Sequence, residues 1–172
     1  MGITGQIKER KLSDRMKQEA VSLGLCAQWT AEWKNGTSKD EMVEKFVTGL
    51  DFCIQHNFPS TEVMKKDFGD VIHKHGVYVD EEVHLQHPKT VILNGRCGGS
   101  ILCGGYDAGN IYVRHNSNVT IRIDGHAYVH ISVYDNAKVN VTCAPSAKCF
   151  IYKYGGETKT DGKAIVRDRS SK

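Results

Sequence analysis

Two periodicities divide the chain. From about residue 10 to residue 68, apolar side chains recur every three or four positions, which is the helical spacing. From Val91 onward they recur at every second position, in blocks that repeat every ten residues. The first pattern predicts a helical part, 1–75. The second predicts β repeats over 91–172, with 76–90 as a linker or first strand between them. The fold class expected is α+β, an N-terminal helical subdomain followed by a parallel β-solenoid-like subdomain.

The strongest helical signal covers 38–56. Ser38 and Glu41 form a capping box. Met42, Val43, Phe46, Val47, Leu50, Cys53 and Ile54 then make one stripe, which Asn57 and Pro59 end. An earlier helix over roughly 10–23 aligns Leu12, Met16, Ala20 and Leu23. A short segment carries Cys26, Trp29 and Trp33 and stops at Asn35-Gly36. A fourth begins at Ser60 and uses Val63, Met64 and Phe68. Apolar and aromatic residues at this spacing are read as core.

The repeats are legible from Asn116 as NSNVTIRIDG, HAYVHISVYD, NAKVNVTCAP and SAKCFIYKYG. The inward places hold Val119-Ile121-Ile123, Val129-Ile131-Val133, Val139-Val141-Cys143 and Cys149-Ile151-Lys153. Val91, Leu93, Ile101, Cys103, Ile111 and Val113 keep the same register upstream. Asp124-Gly125 and Gly155-Gly156 suggest tight hairpin turns, yet a two-residue hairpin pairs an odd with an even position. Here the inward set is odd in every unit. Constant parity fits parallel coils, as does the ladder of small residues Ser117, Ala127, Ala137 and Ala147. Ten residues cannot close a coil, so two units, ~20 residues, are assigned to each turn.

That assignment puts alternate units on opposite sheets. One outer face then shows Ile92, Tyr112, His130, Ser132, Phe150 and Tyr152. The other shows Ser100, Leu102, Thr120, Arg122, Asn140 and Thr142. An exposed aromatic strip calls for a cover, whether the helical part, a second copy or an outside partner.

Composition changes this picture little. Hydrophobic residues make up 40% and charged residues 25%, as in ordinary globular chains, and the net charge is +3. That charge is too small to point to nucleic acid. The excess of basic residues lies after residue 76, and much of it in the tail from Lys153. No apolar run approaches the ~18 residues of a membrane span. The start, MGITGQIKER, lacks an apolar signal core. Six cysteines in this setting are expected as reduced thiols, in a cytoplasm.

The segments LCAQWTAEWKNGTSKDEMVEKFVTGLDFCIQHNFPS, HKHGVYVDEEV and GNIYVRHNSNVTIRIDGHAYVHISVYDNAKVNV resemble small uncharacterised proteins of gut anaerobic bacteria and their phages. The resemblance runs from about Leu25 to Arg169. It implies a bacterial cytoplasm or a phage-infected host, and carries over no activity and no site residue.

Catalytic motifs are not found. Gly156 and Gly162 are separated by five residues where a phosphate loop needs four, and Ala164 replaces its Ser/Thr. Gly98-Gly99 and Gly104-Gly105 read as solenoid corners. Cys97/Cys103 and Cys143/Cys149 are spaced too widely for a structural zinc site. His73, His75, His84 and His87 cluster near the linker without a frame to fix them. No catalytic residue, metal ligand or cofactor is assigned.

Basic and aromatic residues do interleave in the second half, at Arg114, Tyr128, Tyr134, Lys138, Lys148, Tyr152, Lys153 and Tyr154. Tyr128, Lys138 and Lys148 share one repeat place and are expected to stack along one edge, suited to phosphates or acidic protein surface. The binding candidates are Tyr112, Arg114, Arg122, Tyr128, His130, Lys138, Lys148, Phe150 and Tyr152. The function expected is a non-enzymatic binding or assembly module that presents its solenoid to a protein partner or to itself. The alternative is a phage-related binder that sequesters a nucleotide-like host signal. Self-association as a dimer or trimer is expected, because a solenoid end left open invites another strand.

Overall fold

The computed structural model describes residues 2–170. The chain divides at His75/Gly76 into a helical unit and a β unit.

In the helical unit α1 (Ile3–Ser22) is followed by α2 (Ala27–Glu32), α3 (Lys39–Thr48), α4 (Leu50–His56) and α5 (Thr61–Val63). After α5 the chain continues as a π turn (Met64–Phe68) and a 3-10 segment (Gly69–His75). The capping box forms as read. The Ser38 hydroxyl accepts from the Glu41 N–H, and the Glu41 carboxylate accepts from the Ser38 N–H at 2.8 Å. Such a cap contributes about 1 kcal/mol. The single helix expected over 38–56 is instead broken at Gly49, where ψ swings to 32°. The Trp29 ring packs against this glycine, 3.6 Å from where a Cβ would stand. Leu12, Met16, Ala20, Trp33, Met42, Val43, Phe46, Phe68 and Ile72 are buried. The Trp33 indole N–H donates to the Ser13 hydroxyl at 3.1 Å, so both polar atoms enter the core satisfied.

The β unit is a parallel solenoid of two sheets. Sheet A stacks β1 (Val77–Val79), β3 (Thr90–Asn94), β5 (Ala108–Val113), β7 (Tyr128–Val133), β9 (Lys148–Lys153) and β11 (Ile165–Asp168). Sheet B stacks β2 (Glu82–Gln86), β4 (Gly98–Cys103), β6 (Asn118–Ile123), β8 (Lys138–Cys143) and β10 (Glu157–Gly162). Val91 pairs with Ile111, Ile111 with Ile131 and Ile131 with Ile151, a step of twenty residues. Sheet B keeps the same step from Ile101 to Ile121 to Val141. Within the strands, the odd positions from Val91 to Ile151 fill the interior. Ile111, Ile121, Ile131 and Ile151 are 1% exposed or less. Each such side chain stabilises by roughly 1.5–3 kcal/mol through burial.

Two boundaries shift. Of the two readings of 76–90, linker or first strand, the strand reading holds and extends to a whole first coil, with β1 and β2 already in their sheets. The repeat hides there because the step is fifteen residues, Val77 pairing with Ile92, so parity flips. The tail contributes two strands, β10 and β11. β10 pairs with β8 and β11 with β9, and together they make a last coil whose step is again shortened, Phe150 to Ile165.

The small-residue ladder is two ladders. Ser117 and Ala137 line one corner, Ala127 and Ala147 the other, and all four are buried. Gly104-Gly105 does form a corner, but Gly98-Gly99 begins β4. Gly99 takes an inward place between Val83 and Val119 with φ at +106°, and a Cβ there would stand 2.0 Å from the Val83 carbonyl oxygen.

Ile131→Asp buries an unpaired charge between the sheets and should cost more than about 4 kcal/mol, unfolding the β unit. Unchanged circular dichroism and melting in that variant would contradict the inward assignment. Gly99→Ala should cost about 3 kcal/mol, while Gly105→Asn, at a left-handed corner with open space around it, should be close to neutral by thermal melting.

Candidate functional site

The twenty-residue register decides which candidate residues meet. On the outer face of sheet A, Asn110, His130, Phe150 and Ile165 form one row across the strands, and Tyr112, Ser132, Tyr152 and Arg167 form the next. Tyr128 stacks beside Lys148 in a third row. Five aromatic or basic side chains named from sequence therefore gather on two adjacent strands, β7 and β9: Tyr128, His130, Lys148, Phe150 and Tyr152.

Four of these rings form one cluster. The Tyr128 ring lies 5.1 Å from His130 and 5.6 Å from Phe150, centroid to centroid. His130 meets Phe150 and Tyr152 edge-on at 5.6 and 5.8 Å. These are favourable aromatic geometries, worth about 0.5–1.5 kcal/mol per pair beyond burial. His130 Nε2 and the Tyr128 hydroxyl sit 3.2 Å apart. Tyr128 remains 44% exposed, so the cluster reaches solvent. Tyr112 lies on the same face, separated from Tyr152 by Ser132, and is half-buried. Ile92, expected on this strip, is fully buried.

Two residues outside the set of binding candidates complete the face. The Arg167 guanidinium lies 5.6 Å from the Phe150 ring centroid and 5.7 Å from that of Tyr152. The Arg169 guanidinium lies 5.1 Å from Tyr152. Arg167 thus lies against two rings and Arg169 against one, and both arginines are exposed residues. Alternation along β11 puts Arg167 on this face and turns Asp168 the other way, and Arg169, just past the strand, continues the pairing by donating its N–H to the Lys153 carbonyl at 2.7 Å. Asp168 is held by the Ser170 hydroxyl and N–H and by Lys153, and these hydrogen bonds lower its carboxyl to about 2. The signal that would have found the arginines was the pairing of the tail with β9, which needed the shortened step.

Three candidates fall elsewhere. Arg122 and Lys138 lie on sheet B, because units ten residues apart alternate between sheets. Arg122 pairs with Asp124 at 2.8 Å and Lys138 with Glu157 at 3.5 Å. The expected row of Tyr128, Lys138 and Lys148 on one edge is thus broken. Arg114 is only 3% exposed. It sits at the buried corner, donating to the Asn94 side-chain oxygen at 2.9 Å, and is a structural rather than a surface residue. Beside it His115 Nδ1 accepts from the Gly95 N–H at 2.9 Å. Burial, aided by the Arg114 charge, pushes the His115 pKa down, against the opposing pull of Asp135 and Asp80.

Reactive chemistry finds little support in the interior. Burial pushes the thiols of Cys103 and Cys149 up to about 11 and about 12, which keeps them protonated and poor nucleophiles. His75 contacts Asp40, His84 contacts Ser100 and His87 contacts Asp107, so these histidines are taken up by separate local partners. Among the described residues no group of three or more His, Cys, Asp or Glu is placed to hold a metal ion. Nor, among them, is any helix long and apolar enough to cross a membrane. A cavity of about 620 Å³ in the helical unit is lined by Trp29, Glu32, Lys34, Glu41, Glu44 and Lys45. Its charges are mixed, and the Lys45 ammonium already lies 5.8 Å from the Trp29 ring centroid.

No family model matches this chain, and no curated protein or solved structure matches it.

His115 supplies a pH test of the corner. Its folded pKa is depressed from 6.5, so its contribution to stability is present above that value and lost as pH falls below it toward the folded pKa. Melting temperature should fall more between pH 7.5 and pH 5 in the wild type than in His115→Asn, which keeps a left-handed residue and an acceptor but does not titrate. Equal falls in the two proteins would contradict this role.

Proposed function

We propose that this chain is a non-enzymatic binding module whose solenoid presents the outer face of sheet A to a protein partner. The observation that carries this reading is the continuous cluster of Tyr128, His130, Phe150 and Tyr152, flanked by Lys148, Arg167 and Arg169. Tyr and Arg on a rigid sheet supply large contact area at low entropy cost, the composition favoured at the centres of protein interfaces. The outer face of sheet B offers a contrast. Its central positions are Thr120, Asn140, Arg122 and Thr142, all polar.

A second copy of the chain fits this face less well than a different protein. Lys148, Arg167 and Arg169 would meet their own like charges across a two-fold axis. A nucleotide-like ligand draws support from the same rings and arginines. Against it, the guanidiniums of Arg167 and Arg169 already lie over Phe150 and Tyr152, which reduces the ring surface open to a base.

A photoreactive phenylalanine analogue at position 128, installed in cells that make the protein, should cross-link to one main protein, whereas the same analogue at position 120 on sheet B should not. The identified protein, once purified, should bind wild type and lose at least about tenfold in affinity with Tyr128→Ala/Tyr152→Ala. Equal cross-linking from both positions, or none, would overturn the reading. A cross-link to the chain itself, with sedimentation above 19.2 kDa, would assign the face to a second copy instead.

A further inference from the structure

Resting on that reading, we infer that the partner is held as an added strand on the open edge of β11, with carboxylates at alternate positions facing Arg167 and Arg169. Three observations converge on this edge. β11 is the last strand of sheet A, and among the described residues no strand pairs with its far side. Its backbone N–H and C=O groups on that side are therefore available to an extended segment. Ile165 and Val166 are 50% and 41% exposed, although Val166 lies directly over the buried Ile151 in the interior row. An apolar side chain from an added strand would cover Val166 and continue the solenoid core by one layer.

The charges supply the specificity. Arg167 and Arg169 are two residues apart, about 6.6 Å along the strand, on the aromatic face. Neither guanidinium has a carboxylate partner among the described residues. The acid that separates them is engaged with Lys153 and Ser170 on the other side. The rings of Phe150 and Tyr152 support the planar groups from below and leave edge donors suited to a carboxylate. A strand laid beside β11 places its own alternate residues on the same face, at the same spacing. Glutamates there reach both arginines, with a polar residue between them opposite Asp168 and an apolar one opposite Val166. A second copy of β11 would bring arginine to arginine, which disfavours edge-to-edge growth of the solenoid by itself.

The test uses the full chain labelled with 15N and the peptide Thr-Val-Glu-Thr-Glu-Val-Thr, titrated to millimolar concentration at low salt. Amide shifts should change at Val166 to Arg169, with the response weakening as salt rises. Affinity should fall about tenfold with Gln in place of both glutamates, in Arg167→Gln/Arg169→Gln, and when alternate peptide nitrogens are methylated to block strand pairing. Lys159→Gln/Lys163→Gln, which removes two charges from outside the site, should leave affinity unchanged. An absent response at β11, or one that survives Arg167→Gln/Arg169→Gln or backbone methylation, overturns the inference. If that happens while cross-linking from position 128 persists, the face remains a docking site and only the acidic strand is lost. Failure of both removes the face as well.

Discussion

The twenty-residue parallel register is the constraint on which the β unit depends. A parallel strand must pair with the one a full coil away, so from β3 to β9 each side chain's cross-strand neighbours are set by residues twenty positions distant. The register stacks Ile111, Ile131 and Ile151 into one interior column, and Ile101, Ile121 and Val141 into the facing one. Between these columns there is room for branched apolar side chains and for thiols, which is why Cys103, Cys143 and Cys149 are part of the core. The same constraint acts outward. It brings His130 beside Phe150 and Ser132 beside Tyr152, and it separates Lys138 from Tyr128 although both hold one place in the ten-residue repeat.

The corners show how the register is maintained where the ladder is interrupted. One stack holds Asp80, Gly95, His115 and Asp135, all with φ between 53° and 73°. Side chains there close the bonds that strands would otherwise make. The Asp80 carboxylate accepts from the Arg96 N–H and the Asp135 carboxylate from the His115 N–H, each at 2.8 Å. Ser117 accepts from the Cys97 N–H at 3.2 Å and donates to the Gly95 carbonyl at 3.3 Å. Polar side chains at a turn, the exposed Asp80 and Asp135 as well as the buried Ser117, are thereby hydrogen-bonded to the coil above or below, and they fix its offset. Rings stack outside them, Tyr134 on Tyr154 at 4.9 Å with nearly parallel planes.

Much of this was legible in the amino-acid order, and the limits have physical causes. The odd inward places from Val91 to Ile151 follow from alternation alone, and two units per coil follow from the length a turn must span. The first and last coils were obscured because the sheet A steps shorten there to fifteen residues, which reverses parity at Val77 and Ile165. That reversal hid the two arginines of the candidate face. Arg114 was misjudged for a different reason. A position after an inward valine reads as surface, and only the corner geometry turns it to Asn94. In the helical unit the apolar stripe of 38–56 was right about the buried face and blind to the break at Gly49, because a packed Trp29 ring leaves no mark on local spacing.

The claim that everything else rests on is therefore the twenty-residue step, and backbone nuclear Overhauser effects read it directly. Parallel neighbours give cross-strand contacts between the amide and α protons of paired residues. The account predicts such contacts linking Ile111 with Ile131, Ile131 with Ile151, and Phe150 with Ile165. Backbone contacts between residues ten apart, such as Ile121 with Ile131, would mean that successive units pair in one sheet. The aromatic and basic side chains of β7, β9 and β11 would then not share a face.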